Sequence, residues 1–134
     1  MFAFCIYDPE RKRLLLARDR AGVKPLYYYL KDGIFLFGSE LKSLHQHPGF
    51  VKTLDEDAIA LYFQFGYIPA PYAIFKNCYK ILPGHTLEVN LQSADIKIKS
   101  YWDALNAYNS GVKKIGFEEA LVETEKLLIN AFNY

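Results

Sequence analysis

Apolar residues along this chain come in short runs and alternations broken by turn residues, until a helical period takes over near the end. Residues 2–7, FAFCIY, alternate little and read as a strand buried on both faces. Asp8-Pro9-Glu10-Arg11-Lys12 is a turn with Pro9 at a favoured second position, so Arg13 to Ala17 pairs back as an antiparallel hairpin. Within it, Leu14-Leu15-Leu16-Ala17 is a buried apolar run. Leu26 to Leu30 and Ile34 to Phe37 are strand formers around Lys31-Asp32-Gly33, which predicts a second hairpin with a tight Asp-Gly turn. Gly22 supplies a position open to positive φ between the hairpins, and Pro25 gives up its N–H just before the third strand. Ser39 is placed to cap a short helix through Leu44, which Pro48 prevents from continuing.

Thr53 with Glu56 resembles a capping box, followed by a helix to about Phe65 with Ala58, Leu61, Tyr62 and Phe65 on one stripe. Gly66 closes it. Tyr67 to Tyr72 holds two prolines and reads as extended, Ala73 to Lys80 as a short turn of helix, and Pro83-Gly84 as a turn. Thr86 to Leu91 and Ile96 to Tyr101 alternate as strands with one face toward water. Periodicity then lapses over 103–116, which reads as a linker. From Phe117 a helix runs to the end of the chain, with Ala120, Leu121, Thr124, Leu127, Leu128, Ala131 and Phe132 on one face. Its glutamates, Glu118 and Glu119 foremost, sit where the macrodipole favours them.

Composition narrows the class. At 134 residues the chain suits one domain, and 51% hydrophobic with 23% charged residues is ordinary for a globular protein. Eleven Tyr and ten Phe point to sheet faces and packed interfaces. A net charge of +1 without a basic stripe argues against nucleic-acid binding, since Arg11-Lys12-Arg13 falls at a hairpin tip. Two cysteines make neither a disulfide framework nor a metal quartet, so a reducing cytoplasm is expected. No apolar run approaches a membrane span, and Met1 to Tyr7 lacks the basic start of a signal peptide.

Candidate chemistry is sparse. Arg18-Asp19 places a cation and an anion where a strand ends; the pair either fixes loops around a reactive pocket or only stabilises a turn. Ser39 and Glu40 fit a cap with a first-turn acid better than a nucleophile, for want of a histidine base in a recognisable motif. His45, His47 and His85 lack partners at ligand spacing. Cys5, between Phe4 and Ile6, and Cys78 read as structural thiols. No glycine-rich phosphate loop is present. No catalytic, cofactor-binding or metal-binding residue is therefore assigned from the sequence.

The order of motifs carries a resemblance. Arg18-Asp19, Gly22, Pro25-Leu26-Tyr27-Tyr28, a hairpin, then Ser39-Glu40-Leu41-Lys42 resembles the glutamine-hydrolysing asparagine synthetases and, more widely, the class II glutamine amidotransferases. Met1 to Phe4 upstream and Phe65 to Pro71, Ile74 to Lys76, Lys80 to His85 and Tyr101 to Asp103 downstream follow in family order. The resemblance implies an α+β fold of mainly antiparallel hairpins, from the distal half of an N-terminal-nucleophile glutaminase sandwich, with flanking helices. It implies domains at 1–102 (glutaminase), 103–116 (linker) and 117–134 (first synthetase helix).

In that family an N-terminal cysteine attacks glutamine with its own amine as base, and Cys5, whose nitrogen is an amide, is no substitute. The glutamine-binding residues are expected upstream of the matched part, and the ATP loop downstream. The implied parent uses glutamine, aspartate, ATP and Mg2+; the chain alone is expected to be an inactive central fragment needing its N-terminal and synthetase portions, with self-association possible. Phe65 to Pro71 is either a wall for passing ammonia or ordinary core. A sugar or secondary-metabolite acceptor, or a non-catalytic partner-binding domain, are the alternatives.

Overall fold

The computed structural model describes residues 1–111 and 113–133. Val112, inside the expected linker, and Tyr134, the expected last residue of the terminal helix, lie outside them. The chain divides into two units, Met1–Asp103 and Ala104–Tyr134.

The first unit holds two antiparallel sheets, as the α+β reading requires. Strands β1 (Ala3–Asp8), β2 (Arg13–Arg18), β6 (His85–Asn90) and β7 (Ile96–Ser100) form one, in the order β1-β2-β6-β7. Strands β3 (Tyr27–Lys31), β4 (Ile34–Gly38) and β5 (Cys78–Lys80) form the other, in the order β4-β3-β5. The β3–β4 turn has Asp32 at φ 50° and Gly33 at φ 76°, the left-handed pair that matches strand twist. Leu16, Leu26, Ile81, Leu87 and Val89 form one buried cluster, and Tyr28 and Phe35 of the second sheet pack against it. The far face of the second sheet has its own cluster of Tyr29, Leu44, Phe50, Ala73 and Cys78. Helix α1 (Leu41–Leu44) contributes to that cover, and α2 (Glu56–Phe65) follows.

Several local expectations are corrected. β1 is an edge strand, and Phe4 and Ile6 are exposed at 43% and 52%, so one face is bare rather than both buried. Ser39 does not cap α1: Glu40 occupies the N-cap without a side-chain bond, and the Ser43 hydroxyl donates to the Glu40 carbonyl at 2.6 Å. Asp55, not Thr53, caps α2, its Oδ1 accepting from Asp57 N at 3.0 Å and Ala58 N at 3.2 Å. Thr53 is instead held through its backbone, its N–H donating to Val51 O and its carbonyl accepting from Lys76 N, both at 2.9 Å. The expected helical turn over 73–80 is absent, because the open side of β3 recruits Cys78–Lys80 as a strand. Tertiary pairing overrides a weak local preference there. Of the α2 stripe only Ala58 is buried, while Tyr62 and Phe65 stay about half exposed.

The second unit contains α3 (Ala104–Asn109), within the stretch read as a linker, and α4 (Phe117–Phe132). Composition hid α3 because six residues carry too few periodic positions to register. Neither helix has a buried residue among those described. Lys113 forms an ion pair with Glu123.

Leu16→Ala should leave a cavity in the shared core and cost about 2–5 kcal/mol in urea unfolding. Leu127→Ala, on the exposed side of α4, should stay within about 0.5 kcal/mol. Equal losses would mean that the first cluster is not the core that holds the fold.

Candidate functional site

β2 delivers Arg18 and Asp19 to a point where the chain leaves the sheet, and both are buried, at 9% and 5% exposure. Sequence reading treats them as a pair, but no ion pair joins them among the described residues. Each turns to the backbone instead. Arg18 donates from Nε to Lys24 O at 2.9 Å, from Nη1 to Ile81 O at 2.6 Å and from Nη2 to Gly22 O at 2.7 Å. Asp19 accepts at Oδ1 from Val23 N at 3.0 Å, and at Oδ2 from Lys24 N at 3.0 Å and Phe2 N at 3.3 Å. A guanidinium has only donors and a carboxylate only acceptors, so the two side chains satisfy complementary halves of the same loop.

The surrounding backbone closes on this point. Asp19 O accepts from Gly22 N and Gly84 N, both at 3.0 Å. The Tyr101 hydroxyl donates to Arg18 O at 2.7 Å. Gly22 sits at φ 66°, and a Cβ there would lie 2.7 Å from Pro83 Cγ and 3.1 Å from Arg18 Nη2, so glycine is required both for conformation and for room. The amide bonds, led by that from Lys24 and joined by those from Val23 and Phe2, hold the Asp19 carboxyl down to about 2 against the opposing effect of burial.

Beside this network lies a hollow of about 500 Å³ lined by Met1, Phe2, Asp19, Arg20, Ala21, Val23 and Tyr101. Arg20 on its rim reaches over the Trp102 ring at 6.0 Å, while the neighbouring Asp19 carboxylate is taken up by backbone amides. Local sequence carries no signal for the parts that Gly84, Tyr101 and Trp102 play, since they come from more than sixty residues away along the chain.

The remaining candidates stay apart. Glu40 pairs with Lys42 at 2.8 Å, and that bond lowers its carboxyl pKa. Ser39 has no bonded base among the described residues. His45 packs between the rings of Phe50 and Phe75, His47 Nδ1 accepts from Gly49 N at 3.1 Å, and His85 Nδ1 lies 2.7 Å from Pro83 O. Among the described residues no group of His, Cys, Asp or Glu converges as metal ligands would. Burial raises the Cys5 thiol and pushes that of Cys78 up to about 11, so neither is a thiolate at neutral pH. In the 65–71 segment, Gly66 takes φ 76° and Ile68 O accepts the Lys80 ammonium. No helix among the described residues is long and apolar enough to cross a membrane.

Residues 1–102 match the family described as "Glutamine amidotransferase domain". Over 131 residues the chain is 38% identical to a Methanocaldococcus jannaschii protein named "Putative asparagine synthetase 2 (glutamine-hydrolyzing)", covering 96% of this chain and 24% of that one. It is 36% identical over 104 residues to the glutamine-hydrolysing asparagine synthetase 3 of Bacillus subtilis, covering 77% of this chain and 17% of that one. It is also 33% identical over 106 residues to the amidase chyE of Penicillium rubens, covering 76% and 14%. The chain thus spans a quarter or less of the length of these relatives.

The depressed Asp19 carboxyl makes stability depend on acid. Its contribution is fully present above about pH 4, the ordinary Asp value, and is lost as pH falls toward about 2. Thermal melts should show a steeper fall in Tm across that window for the wild type than for Asp19→Asn. Identical profiles would contradict the network. Arg18→Met, which strands three carbonyls, should cost about 2–4 kcal/mol by denaturant titration.

Proposed function

The chain belongs to the glutamine amidotransferase domain family, and we propose that it is a central segment of an ATP-dependent, glutamine-hydrolysing asparagine synthetase. The observation that carries this is the match of 96% of the chain, across both structural units, to a protein bearing that name. The parent hydrolyses glutamine and transfers the ammonia to aspartate. In it, residues 1–102 belong to the glutaminase domain, 103–116 connect, and 117–134 begin the synthetase domain.

The role of this chain's own residues follows from the hollow. Arg18 and Asp19 fix the 19–24 loop by its carbonyls and amides, and so shape the part of the glutamine pocket that this chain supplies. In this reading the nucleophile is the N-terminal cysteine of the parent, and Cys5 and Cys78, whose thiols burial raises, are structural. ATP supplies the activation of the acceptor carboxylate and Mg2+ the charge to hold its phosphates. In this reading both belong to the synthetase portion of the parent rather than to residues 1–102. The 134-residue chain alone is therefore inactive. Two free cysteines fit a reducing, cytoplasmic setting. The similarity to a fungal amidase favours a second reading, in which the same glutaminase serves a different acceptor.

The test uses the full-length parent with two nitrogen donors. Asp19→Asn should lower glutamine-dependent asparagine synthesis about 10–100-fold through misplacement of the pocket, while ammonia-dependent synthesis persists. Equal loss with both donors would make Asp19 a purely structural residue. Glutamine hydrolysis by the purified 134-residue chain would refute the assignment of the nucleophile elsewhere.

A further inference from the structure

The chain leaves the first unit through Tyr101, Trp102 and Asp103, directly after β7. This exit is pinned to the loop that β2 begins. The amides of Tyr101 and Trp102 both donate to Gly84 O, at 2.9 and 3.2 Å, and Gly84 N in turn donates to Asp19 O at 3.0 Å. A Cβ on Gly84 would lie 2.3 Å from Trp102 O, so the two segments meet with no room for a side chain between them. Arg20 lies over the Trp102 ring at 6.0 Å, a second tie from the same loop to the same exit.

One side chain reaches further. The Tyr101 hydroxyl spans 83 positions of sequence to donate to Arg18 O at 2.7 Å. That oxygen belongs to the peptide between Arg18 and Asp19, whose N–H donates to Phe2 O at 2.9 Å. The peptide plane is therefore gripped at both ends. A planar peptide turns as a unit, so its tilt sets the direction in which Asp19 carries its carboxylate. That carboxylate holds the amides of Val23 and Lys24. Tyr101 thus acts on the 19–24 loop through one peptide plane and two side-chain bonds, and it lines the hollow together with Asp19 and Val23.

We infer that Tyr101 is a positioning residue for glutamine, fixing the pocket loop from the segment by which the chain leaves the glutaminase unit. Its hydroxyl touches no reacting atom. It sets where the loop stands, so its loss weakens glutamine binding and spares the use of free ammonia. The link from Tyr101 to the loop holds for the chain alone; only its consequence for glutamine rests on the asparagine synthetase reading.

Tyr101→Phe keeps the ring and removes the donor. In the 134-residue chain, hydrogen exchange at the Val23 and Lys24 amides should rise about 3–10-fold, the worth of one hydrogen bond, with exchange in β6 unchanged. In the full-length parent the same change should raise the KM for glutamine about 3–10-fold, while kcat at saturating glutamine and ammonia-dependent synthesis stay within about twofold. Asp19→Asn acts on the same loop, so the double variant should lose less than the product of the two single effects. Thr86→Val removes a hydroxyl bond to Lys99 O elsewhere on the sheet and should change none of these values. Exchange at Val23 and Lys24 that Tyr101→Phe leaves unaltered overturns the link. An unchanged KM, equal loss with both nitrogen donors, or single effects that multiply in the double variant overturns the positioning role. Altered exchange in a chain whose parent makes asparagine from ammonia but never from glutamine upholds the link and counts against the function assigned to the parent.

Discussion

Arg18 and Asp19 are neighbours in sequence that do opposite work on one stretch of backbone. The guanidinium takes the carbonyls of Gly22, Lys24 and Ile81, and the carboxylate takes the amides of Phe2, Val23 and Lys24. Lys24 is thereby held from both its N–H and its C=O. Burying either charge without partners would be prohibitive; here all three guanidinium nitrogens and both carboxylate oxygens meet backbone groups. The loop after β2 cannot move without exposing a buried charge, and this rigidity is what gives the hollow beside it a fixed floor.

The rest of the first unit is arranged to make that possible. Leu16 and Leu87 pair across β2 and β6 and keep the end of β2 in register, so that Arg18 arrives at the 81–84 turn. Gly22 and Gly84 are both at positive φ, and both stand where a side chain would collide, with Pro83 in one case and the Trp102 backbone in the other. Tyr101 then bonds to the Arg18 carbonyl. The last residues of the unit thus brace the loop that its second strand begins, and the glutaminase reading needs such a rigid, partly polar wall more than it needs a reactive side chain here.

Much of this was written locally in the chain. Asp32-Gly33 specifies its own turn, the apolar run at Leu14 to Ala17 its own strand, and the periodic residues from Phe117 to Phe132 their own helix. What escaped was set by partners distant in sequence. Cys78–Lys80 is a strand because β3 offers an edge, and no property of those three residues says so. The helix caps were misplaced by one or two residues, since Ser39, Glu40, Thr53 and Asp55 are all chemically able to cap and backbone pairing chooses among them. For the site, Arg18 and Asp19 were visible as adjacent charges, but adjacency suggested an ion pair. That each would serve the backbone depends on where Ile81, Gly84 and Tyr101 come to rest, which residue types alone do not encode.

The central claim is that amides of the 19–24 loop hold the Asp19 carboxylate. It is tested most directly by following the amide protons of Val23 and Lys24 by NMR as the chain is titrated with acid. Both resonances should shift together with a midpoint near about 2, well below an ordinary aspartate. A common midpoint near about 4, or shifts at the two amides that do not coincide, would contradict it.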